Sequence, residues 1–344
     1  MVKKLSIIFT HYNEPEEKCY NSLASLDLQQ NINWNDIEVL IINDHGEEKN
    51  HLSEAFLNQF KHFTPKYIIK DTNTGPGDAR NKGIEEATGD YIMFIDIEDM
   101  FENIHVLVNF MQQIHPSGQD LIFTNWISPI KLSDGRYVFQ IQQMTPTWVF
   151  GIFYRRAFLN QHNIRFLPYL VWNEEIYFNQ KALALTDRVS RLDHVSVTWT
   201  HDFDNPTSIT TSDGQSYSYR IMPSWIHNWC KVMEWKKSVN KLNPQETLQT
   251  LYSVYFMIHN WEWDEPKAKE YKEQSEQLIS YYIYEFKQYF EQVGAREKGE
   301  IYKQCAMGSS KIPPISFDEW YKNMESLNIT EDFITKDPSK LKCR

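Results

Sequence analysis

Four short apolar runs mark the first third of the chain: LSIIFT at 5–10, IEVLIIND at 37–44, YIIKD at 67–71 and YIMFID at 91–96. Their length and β-branched content predict buried strands. Between them the spacing predicts helices. Cys19, Leu23 and Leu26 recur on one face of 15–28, Leu52, Phe56, Leu57 and Phe60 on one face of 52–60, and residues 77–88 follow a Gly-Pro-Gly turn. Strands alternating with helices at this rhythm predict a doubly wound, mostly parallel sheet. In such a sheet, ligands bind beyond the carboxyl ends of the strands. The polar residues ending the runs then share one rim: Thr10 to Asn13, Asn43 with Asp44, and Asp96 to Asp99.

The pattern changes further along. Residues 121–130 and 136–144, joined through Ser133, Asp134 and Gly135, predict a hairpin; 148–163 and 174–185 read as helices, and VSVTWTH at 195–201 as a strand. From Met222 the apolar positions Met222, Trp225, Ile226, Trp229 and Met233 follow a helical period, and two more helical stretches run from Leu248 to Trp261 and from Leu278 to Phe290. The expectation is an α/β domain over 1–214 and a smaller all-helical domain over 215–344, serving acceptor binding or homo-oligomerisation. From Lys311 a short helix and a loose terminus are expected.

Composition excludes several functions. At 41% hydrophobic residues the chain can build a core, and a net charge of −11 without a local basic patch argues against nucleic acid. No apolar run approaches the ~20 residues of a membrane span, so the expected location is cytoplasmic, extending to a peripheral position at the inner membrane surface. Cys19, Cys230, Cys305 and Cys343 lack CxxC spacing, which suggests inert thiols. The 15% aromatic content suits a sugar-stacking surface or an aromatic core equally.

Candidate chemistry concentrates at IDIED, where Asp96, Glu98 and Asp99 follow a buried run. Like charges so close disfavour one another's ionisation, so something positive belongs there. Two readings stay open: the carboxylates cap a following helix, or they hold Mg2+ or Mn2+, hard cations that prefer oxygen ligands.

These residues resemble the family 2 glycosyltransferases with the GT-A fold. IDIED is similar to their DXD motif, with Glu98 at the second acidic place; IIFTHYN and IEVLIINDHG resemble their first two strands and turns. NTGPGDARNKGIEEATGDYIMFID resembles their N-x-G-x-x-x-A-R-N-x-G helix, and the stretch from Val149 to Phe178 resembles the region ending in an ED-x-x-F motif. The likeness spans about residues 5–210. It implies Thr10, Tyr12 and Asp44 at the nucleotide base, Arg80 near base and diphosphate, Asp96 at nucleotide and metal, and Glu98 and His201 as further metal ligands. It also implies Glu175 as catalytic base with Glu174 in reserve, and Asp202 and Ser208 as diphosphate or lid contacts. The implied reaction is metal-dependent, inverting transfer from a nucleotide-diphosphate sugar, a UDP-sugar foremost, to a glycan, wall polymer or other carbohydrate hydroxyl. Trp126, Trp148 and Trp172 stand as sugar platforms or core residues, and Trp261 with Trp263 as an acceptor or dimer patch. The rival functions are a nucleotidyltransferase, which would carry a glycine-rich basic phosphate loop that THYNEPEE lacks, and an inactive nucleotide-sugar-binding scaffold.

Overall fold

The computed structural model describes residues 3–114, 118–132, 134–143, 147–170, 172–200, 219–260, 263, 268–309 and 311–327. The four apolar runs form β1 (Leu5–His11), β2 (Ile37–Asn43), β3 (Lys66–Ile69) and β4 (Tyr91–Asp96), all parallel, in the order β3-β2-β1-β4. Thr10 stands opposite Ile42 on one side and Asp96 on the other, and His11 opposite Asn43. Three strand ends therefore finish level and make the rim.

Both faces of this half-sheet are covered. Leu5, Ile7 and Phe9 pack with Cys19, Leu23 and Leu26 of α1 (Glu16–Asp27). Ile8, Leu40 and Ile42, alternate residues pointing the other way, pack with Ala79 and Ile84. The expected helix at 52–60 contracts to α2 (Glu54–Leu57), whose first turn is capped by the Ser53 hydroxyl. Ala79 and Ile84 lie on α3 (Pro76–Glu86).

After β4 come β5 (Met100–Phe101), α4 (Val106–Met111), β6 (Leu121–Lys131), β7 (Tyr137–Gln142), β8 (Ile152–Arg155), α5 (Arg156–Gln161), α6 (Glu175–Ala184) and β9 (Val189–Thr198). They extend the sheet as β4-β8-β6-β9-β5, with β7 paired to β6 as the expected hairpin. Here the sheet becomes mixed: β8 is antiparallel to β4 and β6, β9 parallel to β6, and β5 antiparallel to β9. The helix expected over 148–163 is replaced by β8 followed by the short α5. Phe153 buries on one sheet face, Ile152 and Tyr154 on the other. A strand buried on both faces shows no alternation, and its apolar run mimics a buried helix. Strand β9 begins at Val189, ahead of the expected 195, because its first half, VSRLDH, is polar and half-exposed.

The chain divides into two compact units, Met1–Pro168 with Glu174–Asn205, and Tyr169–Asn173 with Pro206–Arg344. The expected boundary at 214–215 lies outside the described residues. The second unit holds α7 (Ile221–Ser238), α8 (Pro244–Asn260), α9 (Ala268–Phe290), α10 (Ala295–Met307) and α11 (Phe317–Glu325). Met222, Ile226, Cys230 and Met233 form the buried side of α7, together with the polar Ser224, His227 and Asn228. Helix α10 buries only Ile301, so apolar spacing does not announce it. Among the described residues no helix is long and apolar enough to cross a membrane.

Candidate active site

Arg80 organises the rim. Its Nη2 donates to Asp96 Oδ1 at 2.8 Å and its Nη1 to Glu174 Oε1 at 2.5 Å. The guanidinium carbon lies 5.6 Å from the centroid of the Phe166 ring. At 2% exposure Arg80 is no solvated helix charge, and its Nε has no partner among the described residues. Burial works against its charge, but Asp96, Glu174 and Glu175 more than offset this and raise its pKa. Thr10, expected at the base, donates through Oγ1 to Asp96 Oδ1 at 2.7 Å. It orients the carboxylate from the adjacent strand.

The acid pair opens α6, Glu174 as its N-cap and Glu175 as its first residue, and both side chains are buried. The bond to Arg80 commits Glu174. Burial, then the Glu174 charge, push the Glu175 carboxyl well above its usual range, while Arg80 pulls the other way. A carboxyl so raised is suited to take a proton. Gly77 packs here: a Cβ on it would lie 3.0 Å from Glu174 Cγ and 3.1 Å from Phe166 Cβ.

The acidic stretch after β4 leads into β5, and the next helix starts at Val106, so Asp96, Glu98 and Asp99 cap no helix. Asp99 is fully buried; Thr200 N–H donates to its Oδ1 at 2.9 Å, and its Oδ2 has no partner among the described residues. Burial, then Asp96, raise its pKa well above the carboxylate range. The Thr200 hydroxyl donates to the Glu98 carbonyl, which ties the end of β9 to the rim. His201, Asp202 and Ser208 lie outside the described residues, as does Trp261. Among the described residues no three His, Cys, Asp or Glu side chains gather to hold a metal ion. The donor set nonetheless suits a hard cation: Asp96 keeps 35% side-chain exposure, Glu98 is partly exposed two residues on, and both offer oxygen. Remaining ligands would come from beyond them.

The other side of the rim is built by the turns after β1, β2 and β3. Asp44 is buried and bonds across the turns. Its Oδ1 accepts from Lys70 Nζ at 2.6 Å and from Thr74 N–H at 3.2 Å, and its Oδ2 from Gly75 N–H at 2.6 Å. Lys70 also pairs with Asp78 at 2.7 Å. Gly75 has φ 99°, a region glycine enters without penalty. Tyr12, at 43% exposure, keeps its ring available for stacking.

Gly46 lets these turns touch, because a Cβ there would sit 1.6 Å from the Tyr12 carbonyl oxygen. Gly46→Ala is therefore expected to cost about 1–3 kcal/mol by forcing backbone apart, and to weaken nucleotide binding by moving Tyr12. Urea unfolding and UDP calorimetry check it.

Sequence reasoning missed the layer beneath. The Asn43 amide, at 2.8 Å, bonds both His11 Nδ1 and the Tyr67 hydroxyl, and its Oδ1 accepts from Gly46 N–H at 2.7 Å. His11 Nε2 donates to the Glu14 carbonyl at 2.9 Å, so Nδ1 is the acceptor. Burial lowers the His11 pKa and keeps the ring neutral. This explains the amide at position 43: a carboxylate cannot donate to Nδ1. Asn43→Asp is expected to cost about 1–3 kcal/mol at pH 8. The deficit should shrink toward pH 5.5, as the introduced carboxylate draws a proton onto His11. Melting curves at the two pH values decide it.

Trp126 is buried with Trp148, Phe150 and Trp199 as ring neighbours, which makes it a core residue. Trp172 belongs to the second unit, where its carbonyl is bonded from α7. Trp263 Nε1 donates to the Ile258 carbonyl at 2.8 Å.

The profile of Glycosyl transferase family 2 matches residues 6–170. An uncharacterised glycosyltransferase of Haemophilus influenzae is 36% identical over 115 residues, 32% of this chain and 43% of that protein. The poly(ribitol-phosphate) beta-N-acetylglucosaminyltransferase TarS of Staphylococcus aureus is 24% identical over 208 residues, 55% of this chain and 34% of TarS. The chain thus spans less than half the length of these two relatives. The crystal structure of S. aureus TarS 1–349 superposes with TM-score 0.57 at 17% identity, covering 89% of this chain and 90% of that one. The same TarS segment in complex with UDP-GlcNAc gives 0.51 at 17% identity, covering 91% and 95%. At such identity these two structures speak for the fold. Residues 6–170 thus form a family 2 glycosyltransferase domain with the GT-A fold.

Proposed function

We propose that the protein transfers a sugar from a UDP-linked donor to a carbohydrate or polyol hydroxyl, with inversion at the anomeric carbon. The observation that carries the reading is Arg80, one buried cation bonded to both Asp96 of the donor rim and Glu174 of the acid pair. The family 2 domain supports the chemistry, and the UDP-GlcNAc bound by TarS makes UDP-N-acetylhexosamines the first donors to test.

Tyr12 would stack on the base, and Asp44 would accept the imide N–H of uracil with the remaining lone pair on Oδ2. Asp96 and Glu98 would hold Mg2+ or Mn2+, which when bound neutralises charge on the departing diphosphate. Glu175 takes the proton from the acceptor hydroxyl as its oxygen bonds to the anomeric carbon. The bond from that carbon to the diphosphate oxygen breaks, and UDP leaves with the electron pair.

The test is a thermal-shift panel of UDP, GDP, CDP and dTDP, with and without Mn2+ or Mg2+, followed by UDP release from UDP-GlcNAc, UDP-glucose and UDP-galactose. A ligand bound by the native state alone raises the melting temperature. Metal-dependent stabilisation by UDP and turnover of a UDP-sugar are expected; neither stabilisation nor turnover with any of these ligands would overturn the proposal.

A further inference from the structure

Lys70 follows β3 directly, and its N–H continues the ladder by donating to the Asn43 carbonyl at 2.9 Å. A lysine at a strand end is ordinarily a solvated charge, but this side chain keeps only 9% exposure. Three acceptors enclose its ammonium, all within the α/β unit. Nζ lies 2.6 Å from Asp44 Oδ1 and 2.7 Å from Asp78 Oδ2, and it donates to the Thr74 hydroxyl oxygen. That hydroxyl donates in turn to Asp78 Oδ2 at 2.5 Å. An ammonium has three N–H groups, so none is left over for a phosphate or a base.

Asp44 is the partner through which this lysine can act on a ligand. Lys70 and the Thr74 N–H occupy Oδ1, and the Gly75 N–H occupies one lone pair of Oδ2. These three neighbours are all donors, which leaves the carboxylate one lone pair and no proton to offer. Such a group accepts from the imide N–H of uracil. It repels cytosine, whose ring nitrogen at the same place carries a lone pair of its own. Burying the ammonium with the Asp44 carboxylate is costly relative to apolar side chains of the same volume, so a role beyond stability is expected of the pair.

We infer that Lys70 sets the choice of nucleotide base: by holding Oδ1 it fixes the rotation of the Asp44 carboxylate, aims the free lone pair of Oδ2, and so separates uracil from cytosine. Lys70 is thus a positioning residue that acts on the base through Asp44. The inference rests on Asp44 being the base contact. Its consequence is selective. Without the ammonium only the Thr74 and Gly75 N–H groups steer the carboxylate, and UDP loses a well-aimed bond. CDP gains nothing from that lone pair and so has nothing to lose. A general loosening of the turns would weaken both nucleotides together, since they share ribose and diphosphate.

The experiment measures UDP and CDP affinities by calorimetry for the wild-type full chain, Lys70→Met, Lys70→Gln and Asp44→Asn, each below its melting temperature. Wild type should prefer UDP by about 10-fold to 100-fold, the range for one buried hydrogen bond whose loss leaves its partner unsatisfied. In Lys70→Met the preference should shrink to about threefold or less through weaker UDP binding, with CDP affinity within about twofold of wild type. The Lys70→Gln amide can still donate to Oδ1, so this variant should keep a larger share of the preference; it carries the test should methionine unfold the unit. A wild type without a preference, an unchanged preference in both Lys70 variants, or UDP and CDP affinities falling in step would overturn the inference. Asp44→Asn should lose UDP affinity at least as far as Lys70→Met. If it does while the Lys70 variants keep the preference, Lys70 alone is rejected and the base contact stands. Wild-type UDP affinity in Asp44→Asn would reject the base contact itself, and the role of Lys70 with it.

Discussion

Arg80→Met is expected to be among the most damaging single changes in the α/β unit, costing about 3–5 kcal/mol and abolishing measurable UDP binding. Methionine matches much of the arginine's volume and keeps apolar contact with Phe166. It cannot replace the two bonds, at 2.8 Å to Asp96 and 2.5 Å to Glu174. The variant keeps Glu174 and Glu175 buried without the cation that faces them, and an uncompensated buried charge costs more than the pair it came from. With typical domain stabilities of about 5–15 kcal/mol, that loss brings the fold close to its limit. Its pH dependence has a definite sign. Without arginine the buried carboxyls hold their protons to higher pH than in the unfolded chain, so the native state binds the excess protons and stability falls as pH rises above the ordinary carboxylate range. The deficit of Arg80→Met should thus be smaller at pH 5 than at pH 8. Arg80→Lys should fall between, since one ammonium cannot fork to two carboxylates. Urea unfolding at both pH values, with UDP calorimetry, measures all three statements; a methionine variant as stable as wild type at pH 8 would sink them.

The parallel half of the sheet was legible because each strand is a compact β-branched run with a polar end, and the fold rule converts those ends into one rim. Asp96 and Asp44 could be named in this way, and Arg80 through the family resemblance. Their partners could not. Arg80 meets Glu174 at a separation of 94 residues, and Thr10 meets Asp96 across 86; no local pattern encodes such pairings. Asp99 stands in the IDIED motif with no role that the motif itself reveals, and the structure puts the Thr200 N–H on it. Asn43 reads in the sequence as a polar strand end, and the acceptor nitrogen of His11 explains why it is an amide. Strand β8 is hidden for the opposite reason: its local pattern is present but ambiguous, since burial on both faces erases the period that separates strand from helix. Trp172 stands in the sequence as a sugar platform or core residue, whereas it is engaged through its backbone carbonyl. A backbone contact leaves no trace in the identity of the side chain.

Glu175→Gln is expected to lower turnover by about 100-fold to 10,000-fold, the usual range for removing a positioned proton acceptor, while leaving UDP affinity close to wild type. Glutamine keeps the shape and loses the ability to take the proton, so the loss should fall on kcat. Stability should move the other way. Burial and the Glu174 charge raise the Glu175 pKa in the folded protein. Between the unfolded value near 4.5 and the raised folded value, the native state carries a proton that the unfolded chain has released. Stability contributed by this group is complete below the lower value and is lost as pH climbs through the higher one. Glutamine has no such dependence. The variant should therefore melt with a flatter pH profile than wild type, and at pH 8 at a temperature at least equal to it. Wild-type turnover should in turn rise with pH as the carboxyl ionises, giving an acidic limb that the glutamine variant lacks. The same side chain thus opposes folding at the pH where it works, a trade between stability and activity expected where a buried carboxyl is kept for chemistry. Melting curves from pH 5 to 8 beside the pH–rate profile test this. A glutamine variant that is slower and also less stable at pH 8 would mark Glu175 as a structural residue, and the base would have to be sought elsewhere.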